Sequence, residues 1–210
     1  GADLGALALR GAHTLDAEGV RVAGWGETEV TMRLPTPLAV PIGGFFQVNR
    51  HLVPWLFRRV AELVGPEPLP TWDLHAGVGF LAAAASHAAT RELVLAEPFR
   101  PAARAAVRNL PTARVEVGHT AESLLAGSRQ PPRHALALTD PPRAGFSPTL
   151  SRRLAGWHPD RILMLSCEPA TWARDTAFLL DSGYRLAHLE LVDLFPSSHH
   201  VEVLAVLETA

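Results

Sequence analysis

From about residue 45 onward, short apolar runs alternate with segments whose apolar residues recur every three or four positions. A chain built this way buries its runs as a mainly parallel sheet and lays the periodic segments across it as helices. Leu52, Leu56, Val60 and Leu63 mark the first helix, with Pro54 near its start. Strands are expected over 71–74, 92–96, 114–117, 135–139 and 161–166, and helices over 81–88, 101–109, 121–126 and 171–181. Two final runs, 185–192 and 200–207, lie close together and are expected to pair antiparallel. The expected fold class is α/β, with a doubly wound sheet.

Residues 1–44 read differently. Alternating stretches at 6–10, 20–24 and 28–34 are punctuated by glycine, which suggests strands and turns. Pro35, Pro37, Pro41, Gly43 and Gly44 then read as a linker. The expected organisation is a small β-rich segment over 1–44 and a larger domain over 45–210.

Composition narrows the class. No apolar stretch approaches the roughly 20 residues needed to span a bilayer, and no signal-peptide layout opens the chain. The single cysteine permits no internal disulfide and rules out an all-cysteine metal site or iron–sulfur cluster. These features favour a cytoplasmic protein, although the start at Gly1 leaves room for a missing native N-terminus. A formal charge of −2 gives no global attraction to nucleic acid. The basic side chains are all arginine, however, and a local arginine patch serves phosphate and base contacts well. The oligomeric state is not readable from these quantities.

Ligands of doubly wound sheets bind beyond the carboxyl ends of the strands, and three polar features fall there. The first is Asp73-Leu-His-Ala-Gly77-Val-Gly79, between a strand and a helix, where Gly77 and Gly79 let the backbone approach a ligand ahead of Phe80. Glu97 ends the next strand, where an acid can accept ribose hydroxyls. Loop and acid together favour an adenosine-containing cofactor. The loop is not G-x-G-x-x-G and no Walker pattern occurs, so S-adenosylmethionine is preferred over NAD or ATP. The second feature, Asp140-Pro-Pro-Arg143, holds a carboxylate and a guanidinium on a chain stiffened by two prolines. It reads either as a site or as a turn with a surface ion pair.

The third is Cys167, at the end of the apolar run 162–165. A lone cysteine is commonly a small buried hydrophobe. Its place before a helix starting near Pro169 also suits a thiolate nucleophile, because the dipole there favours negative charge. Between the last two runs, Asp193 to Glu202 form a polar stretch with His199, His200 and Glu202. It reads as a solvated connector or, less well, as a metal cluster, since no other ligand set has suitable spacing.

Taken in order, FFQVNR (45–50), DLHAGVG (73–79), TDPPRAG (139–145), SCEPATWARD (166–175) and VDLFPSSHHVE (192–202) resemble the RNA uracil-5-methyltransferase family. The resemblance spans about residues 41–208. It implies the Rossmann-like class I methyltransferase sheet of seven strands, with the last pair antiparallel. It also implies S-adenosylmethionine as cofactor, tRNA or rRNA as partner, and no metal. By the same resemblance Cys167 is the nucleophile and Glu202 the general base. Gln47, His75, Glu97 and Asp140 match positions around the cofactor, beside Gly77, Gly79 and Phe80 of the loop. Arg143, Phe195 and His200 are candidates for holding the base.

Some positions depart from the family pattern. His75 stands where an aromatic residue is usual, Ala76 where cysteine is, and Ser197-Ser198 replace a pair ending in threonine. Glu168 stands where asparagine is usual, and its charge is expected to raise the thiol pKa unless it points away. Relatives carry an N-terminal RNA-binding barrel and a larger central segment, so residues 1–44 read as the remnant of that segment. Two other functions fit the same residues: a base methyltransferase acting on cytosine or an exocyclic amino group, and a non-catalytic RNA- or protein-binding module.

Overall fold

The structure, a computed structural model, describes residues 11–19, 21–47, 49–127 and 130–210; the strand expected at 6–10 lies outside them, as does Val20 of the 20–24 stretch. Two hairpins come first: β1 (Gly11–Leu15) with β2 (Arg21–Gly26), and β3 (Glu29–Met32) with β4 (Leu38–Pro41). β4 corrects the reading of 35–44 as a linker. Its prolines flank or end the strand, leaving Leu38 and Val40 free to bury their side chains.

The main body follows as α1 (Val53–Val64), β5 (Thr71–Asp73), α2 (Phe80–Ala88), β6 (Leu93–Glu97), α3 (Arg100–Asn109) and β7 (Arg114–Val117). It continues through α4 (Ala121–Ala126), β8 (Leu136–Thr139), α5 (Pro148–Trp157), β9 (Arg161–Ser166), α6 (Pro169–Asp181), β10 (Tyr184–Val192) and β11 (Glu202–Thr209). Seven strands form one sheet in the order β10-β11-β9-β8-β5-β6-β7. β11 runs antiparallel to both its neighbours, and the pairs from β9 across to β7 are parallel. The expected α/β class and the antiparallel last pair are therefore present.

Alternate side chains of each strand enter opposite layers, as pleating requires. Leu136, Leu138, Leu163 and Leu165 pack under α1 and α2, whereas Ala135, Ala137, Ile162 and Met164 pack under α4 and α5. In α1 the buried stripe Val53, Leu56, Phe57, Val60 and Val64 follows the helical period, and Gly65 closes the helix with a positive φ of 69°. α2 is built of small residues, so it lies close to the sheet with Phe80 to Ala85 buried.

α5 was not anticipated by periodicity. Its start is nonetheless signalled by Ser147, whose hydroxyl accepts from Leu150 N at 3.1 Å, followed by Pro148. Asn109, at the end of α3, ties β4 to the body. Its amide accepts from Ala39 N at 2.9 Å and donates to Ala39 O at 3.0 Å and Val78 O at 2.9 Å. Among the described residues no helix is long and apolar enough to cross a membrane.

Candidate active site

The order of β5 between β6 and β8 reverses the direction of winding, and ligands collect at such a switch point. A cavity of about 780 Å³ opens there. Its lining includes Gln47, His75, Gly77, Phe80, Glu97, Asp140, Arg143, Cys167 and Glu202.

The glycine loop leaves β5 with Gly77 at φ 55° and Gly79 at φ 92°. The two glycines differ in what surrounds them. A Cβ on Gly77 would meet nothing within 4 Å, whereas one on Gly79 would lie 2.8 Å from Leu110 Cδ1. Gly77 thus presents bare backbone to open space, and Gly79 lets the loop pass over α3. Glu97 fastens the loop from the neighbouring strand, accepting from Gly77 N at 2.8 Å and Phe99 N at 2.7 Å. Burial pushes its pKa up, and the two N–H donors hold it back.

His75 sits deeper. Its Nδ1 lies 2.8 Å from Thr139 Oγ1, and its ring stacks parallel to Phe146 at 6.3 Å between centroids. Burial drives its pKa down to about 4, so the ring is neutral near pH 7. Behind it, fully buried Asp73 accepts from His75 N at 3.3 Å while its second oxygen has no partner. Burial raises that carboxyl to about 7. Asp73, Thr139 and Phe146 were missed as site residues. Asp73 alone had a visible signal, an acid at a strand end directly before the glycine loop.

Asp140 leaves β8 and accepts from Gln47 Nε2 at 3.4 Å. Burial and the Glu202 and Asp73 carboxylates push its pKa well above the usual carboxylate range. The other amide atom of Gln47, Oε1, is buried without a partner.

Cys167 and Glu202 meet through strand register. Val203 of β11 pairs with Ser166 of β9, so the next residues outward come side by side. Glu202 is 1% exposed, and one of its oxygens has no partner. Burial lifts its pKa to about 7, with Arg143 acting in the opposite direction. The Cys167 thiol is raised by burial first, then by Glu202 and Asp140, while a hydrogen bond and charge from Arg143 lower it. Burial and these two carboxylates thus oppose the ionisation that a place before α6 favours. Glu168 does not cause the rise. Its side chain turns to cap α6, accepting from Ala170 N at 3.3 Å.

Three expected residues lie apart from the cavity lining. Gly79 supports the loop from below, and Phe195 and His200 border a second recess of about 550 Å³. The two openings adjoin through Arg143, whose Nη2 lies 3.5 Å from His200 Nε2. Among the described residues no group of three or more His, Cys, Asp or Glu side chains is placed to hold a metal.

Residues 133–210 match the family of tRNA (uracil-5-)-methyltransferases. The matched stretch contains Asp140, Arg143, Cys167 and Glu202, described above. An RNA methyltransferase of Nitratidesulfovibrio vulgaris is 37% identical over 175 residues, covering 78% of this chain and 36% of the relative. The 23S rRNA (uracil(747)-C(5))-methyltransferase of Shewanella oneidensis is 31% identical over 178 residues, covering 81% and 45%. The crystal structure of the Pyrococcus abyssi tRNA (uracil-54, C5)-methyltransferase with S-adenosyl-L-homocysteine superposes with a TM-score of 0.73. It is 30% identical and covers 90% of this chain and 46% of that one. The chain thus spans less than half the length of these relatives.

Proposed function

We propose that this chain transfers a methyl group from S-adenosylmethionine to carbon 5 of a uridine in tRNA or rRNA. The observation that carries the reading is the adjacency of Cys167 and Glu202 at the ends of β9 and β11, facing one cavity with Asp140.

The cavity suits the cofactor on its own features. Gly77 offers backbone with no Cβ in the way, and Glu97 is held by two N–H donors with acceptor capacity left for ribose hydroxyls. The buried, unpartnered Gln47 Oε1 awaits a donor, such as the amino group of the methionine portion. Neutral His75 adds no positive charge beside a sulfonium. When bound, the cofactor supplies an electrophilic methyl group.

The residues of the chain do the rest. Carbon 5 of uracil is a weak nucleophile. A Cys167 thiolate that bonds to carbon 6 pushes the ring electrons onto the carbon 4 oxygen and makes carbon 5 reactive. After methylation, the carbon 5 proton passes to the Glu202 carboxylate. Its electron pair restores the ring double bond, and the sulfur–carbon 6 bond breaks. Arg143 beside the thiol favours the thiolate that opens the sequence. A base in folded RNA is extruded to reach such a pocket, at a cost of a few kcal/mol. On this reading residues 45–210 are the methyl-transfer unit.

The test is RNA carrying 5-fluorouridine, incubated with the chain and S-adenosylmethionine. Fluorine cannot leave as a proton, so a denaturation-resistant adduct through Cys167 is expected. Methylation of uridine without such an adduct, or an adduct that survives Cys167→Ala, rules the mechanism out.

A further inference from the structure

The second recess is a built feature of the fold. Asn49 bolts its two walls together: its Oδ1 accepts from His51 N at 3.2 Å, and its Nδ2 donates to Leu194 O at 3.2 Å. On the far wall, Ser198 Oγ donates to Phe195 O at 2.7 Å and accepts from His200 N at 3.2 Å. Ser197 between them takes a positive φ of 70°, so the turn is held in a conformation most residues avoid.

Its surface chemistry is equally specific. Phe195 is half-buried against the core, and the His200 ring lies edge-on to it at 6.0 Å. Exposed Arg50 and His51 form the opposite rim. In a chain of net charge −2, this places cationic and aromatic groups together at one opening. That combination is what a single strand of nucleic acid needs, a stacking platform beside a phosphate contact.

We propose that this recess binds the RNA nucleotide next to the target uridine, its base on Phe195 and its phosphate at Arg50. The proposal rests on RNA being the substrate, as argued above, and adds where the strand runs once the target base has entered the cavity. The Arg143–His200 contact at 3.5 Å marks the passage between the two sites.

The experiment is a fluorescence-anisotropy titration of labelled pentauridylate against the 210-residue chain at several salt concentrations. Arg50→Ala is expected to weaken binding and reduce the log–log salt slope by about 0.7, the loss of one phosphate contact to a single strand. Phe195→Leu is expected to weaken binding about fivefold or more with the salt slope unchanged. Arg152→Ala, on the exposed face of α5, serves as the control that leaves affinity as it was. Arg50 is exposed, so its variant keeps the test sound even if Phe195→Leu unfolds. Equal affinity for wild type and both recess variants, or no binding by wild type, overturns the proposal. A chain that shows the expected pattern but methylates no uridine leaves the subsite standing and removes the proposed activity.

Discussion

Cys167 and Glu202 stand one step beyond the paired residues Ser166 and Val203, at the ends of two antiparallel strands. Sheet register alone brings the two together, and neither depends on a long loop for its place. Glu202 begins a strand buried from Glu202 through Leu207.

Glu202→Gln removes the proton acceptor and keeps the shape. On the proposed mechanism, addition and methyl transfer should still proceed, while release of the sulfur–carbon 6 bond should fail. A methylated covalent adduct should accumulate by intact-mass measurement, with turnover down about 10²-fold or more. With Glu202 raised to about 7 by burial, the proposed base role predicts wild-type turnover that rises as the pH increases through that value. Free turnover by the Gln variant at near wild-type rate would end Glu202's role as base.

The acidity of the thiol can be read by iodoacetamide alkylation of Cys167 across pH. The wild-type midpoint should lie above that of an ordinary thiol, since burial and two carboxylates oppose ionisation. Glu202→Gln removes one of those charges and should move it down. Arg143→Met should move it up. Glu168→Gln, altering a helix cap turned along α6, should leave it close to wild type. A downward move for Glu168→Gln as large as that for Glu202→Gln would contradict this arrangement.

Gly77 and Gly79 separate cofactor contact from support of the loop. Gly77→Ala places a methyl in open cavity space, at a backbone cost of about 1 kcal/mol. It should lose most of its S-adenosylmethionine affinity by calorimetry with only a modest fall in melting temperature. Gly79→Ala adds a 2.8 Å clash with Leu110 and should show the larger loss of stability. The reverse ranking would mean that the cofactor does not approach Gly77.

Asp73 links stability to pH. Its carboxyl titrates at about 7 in the fold against an ordinary 3.8, so the folded state binds the proton more tightly than the unfolded chain. The resulting stability is full below about pH 4 and is lost as pH rises through 7, up to about 4 kcal/mol as an upper bound. Glu202 acts in the same direction. Asp73→Asn, whose amide oxygen can still accept from His75 N, should flatten this fall between pH 5 and 8 in urea unfolding. An unchanged slope would show that the Asp73 oxygen without a partner is satisfied another way.

Much of this was legible in the chain itself, because strands and helices of a doubly wound sheet announce themselves by their periods, and polar residues at strand ends have little else to do. Gln47, His75, Gly77, Glu97, Asp140, Cys167 and Glu202 come from distant positions yet line one cavity. Features that rest on local contradiction were not legible. Pro35, Pro37 and Pro41 masked β4, whose Ala39 backbone is paired by Asn109 reaching across from α3. α5 opens with Ser147-Pro148, a pair that also begins turns. The thiol shift depends first on burial of Cys167 and then on the two carboxylates gathered around it, quantities of three-dimensional packing that no linear spacing reports.

The loop from Asp193 to Val201 joins β10 to β11 and carries much of the wall of the outer recess, while Glu202 is already inside the sheet. One residue, Val201, therefore separates the recess-lining turn from the Glu202 carboxylate at the inner cavity. On the proposed function, substitutions in that turn would alter contacts to RNA while leaving Cys167 and Glu202 in place on their strands. The proposed target contacts and the proposed chemistry would then be divided at a single residue of the fold.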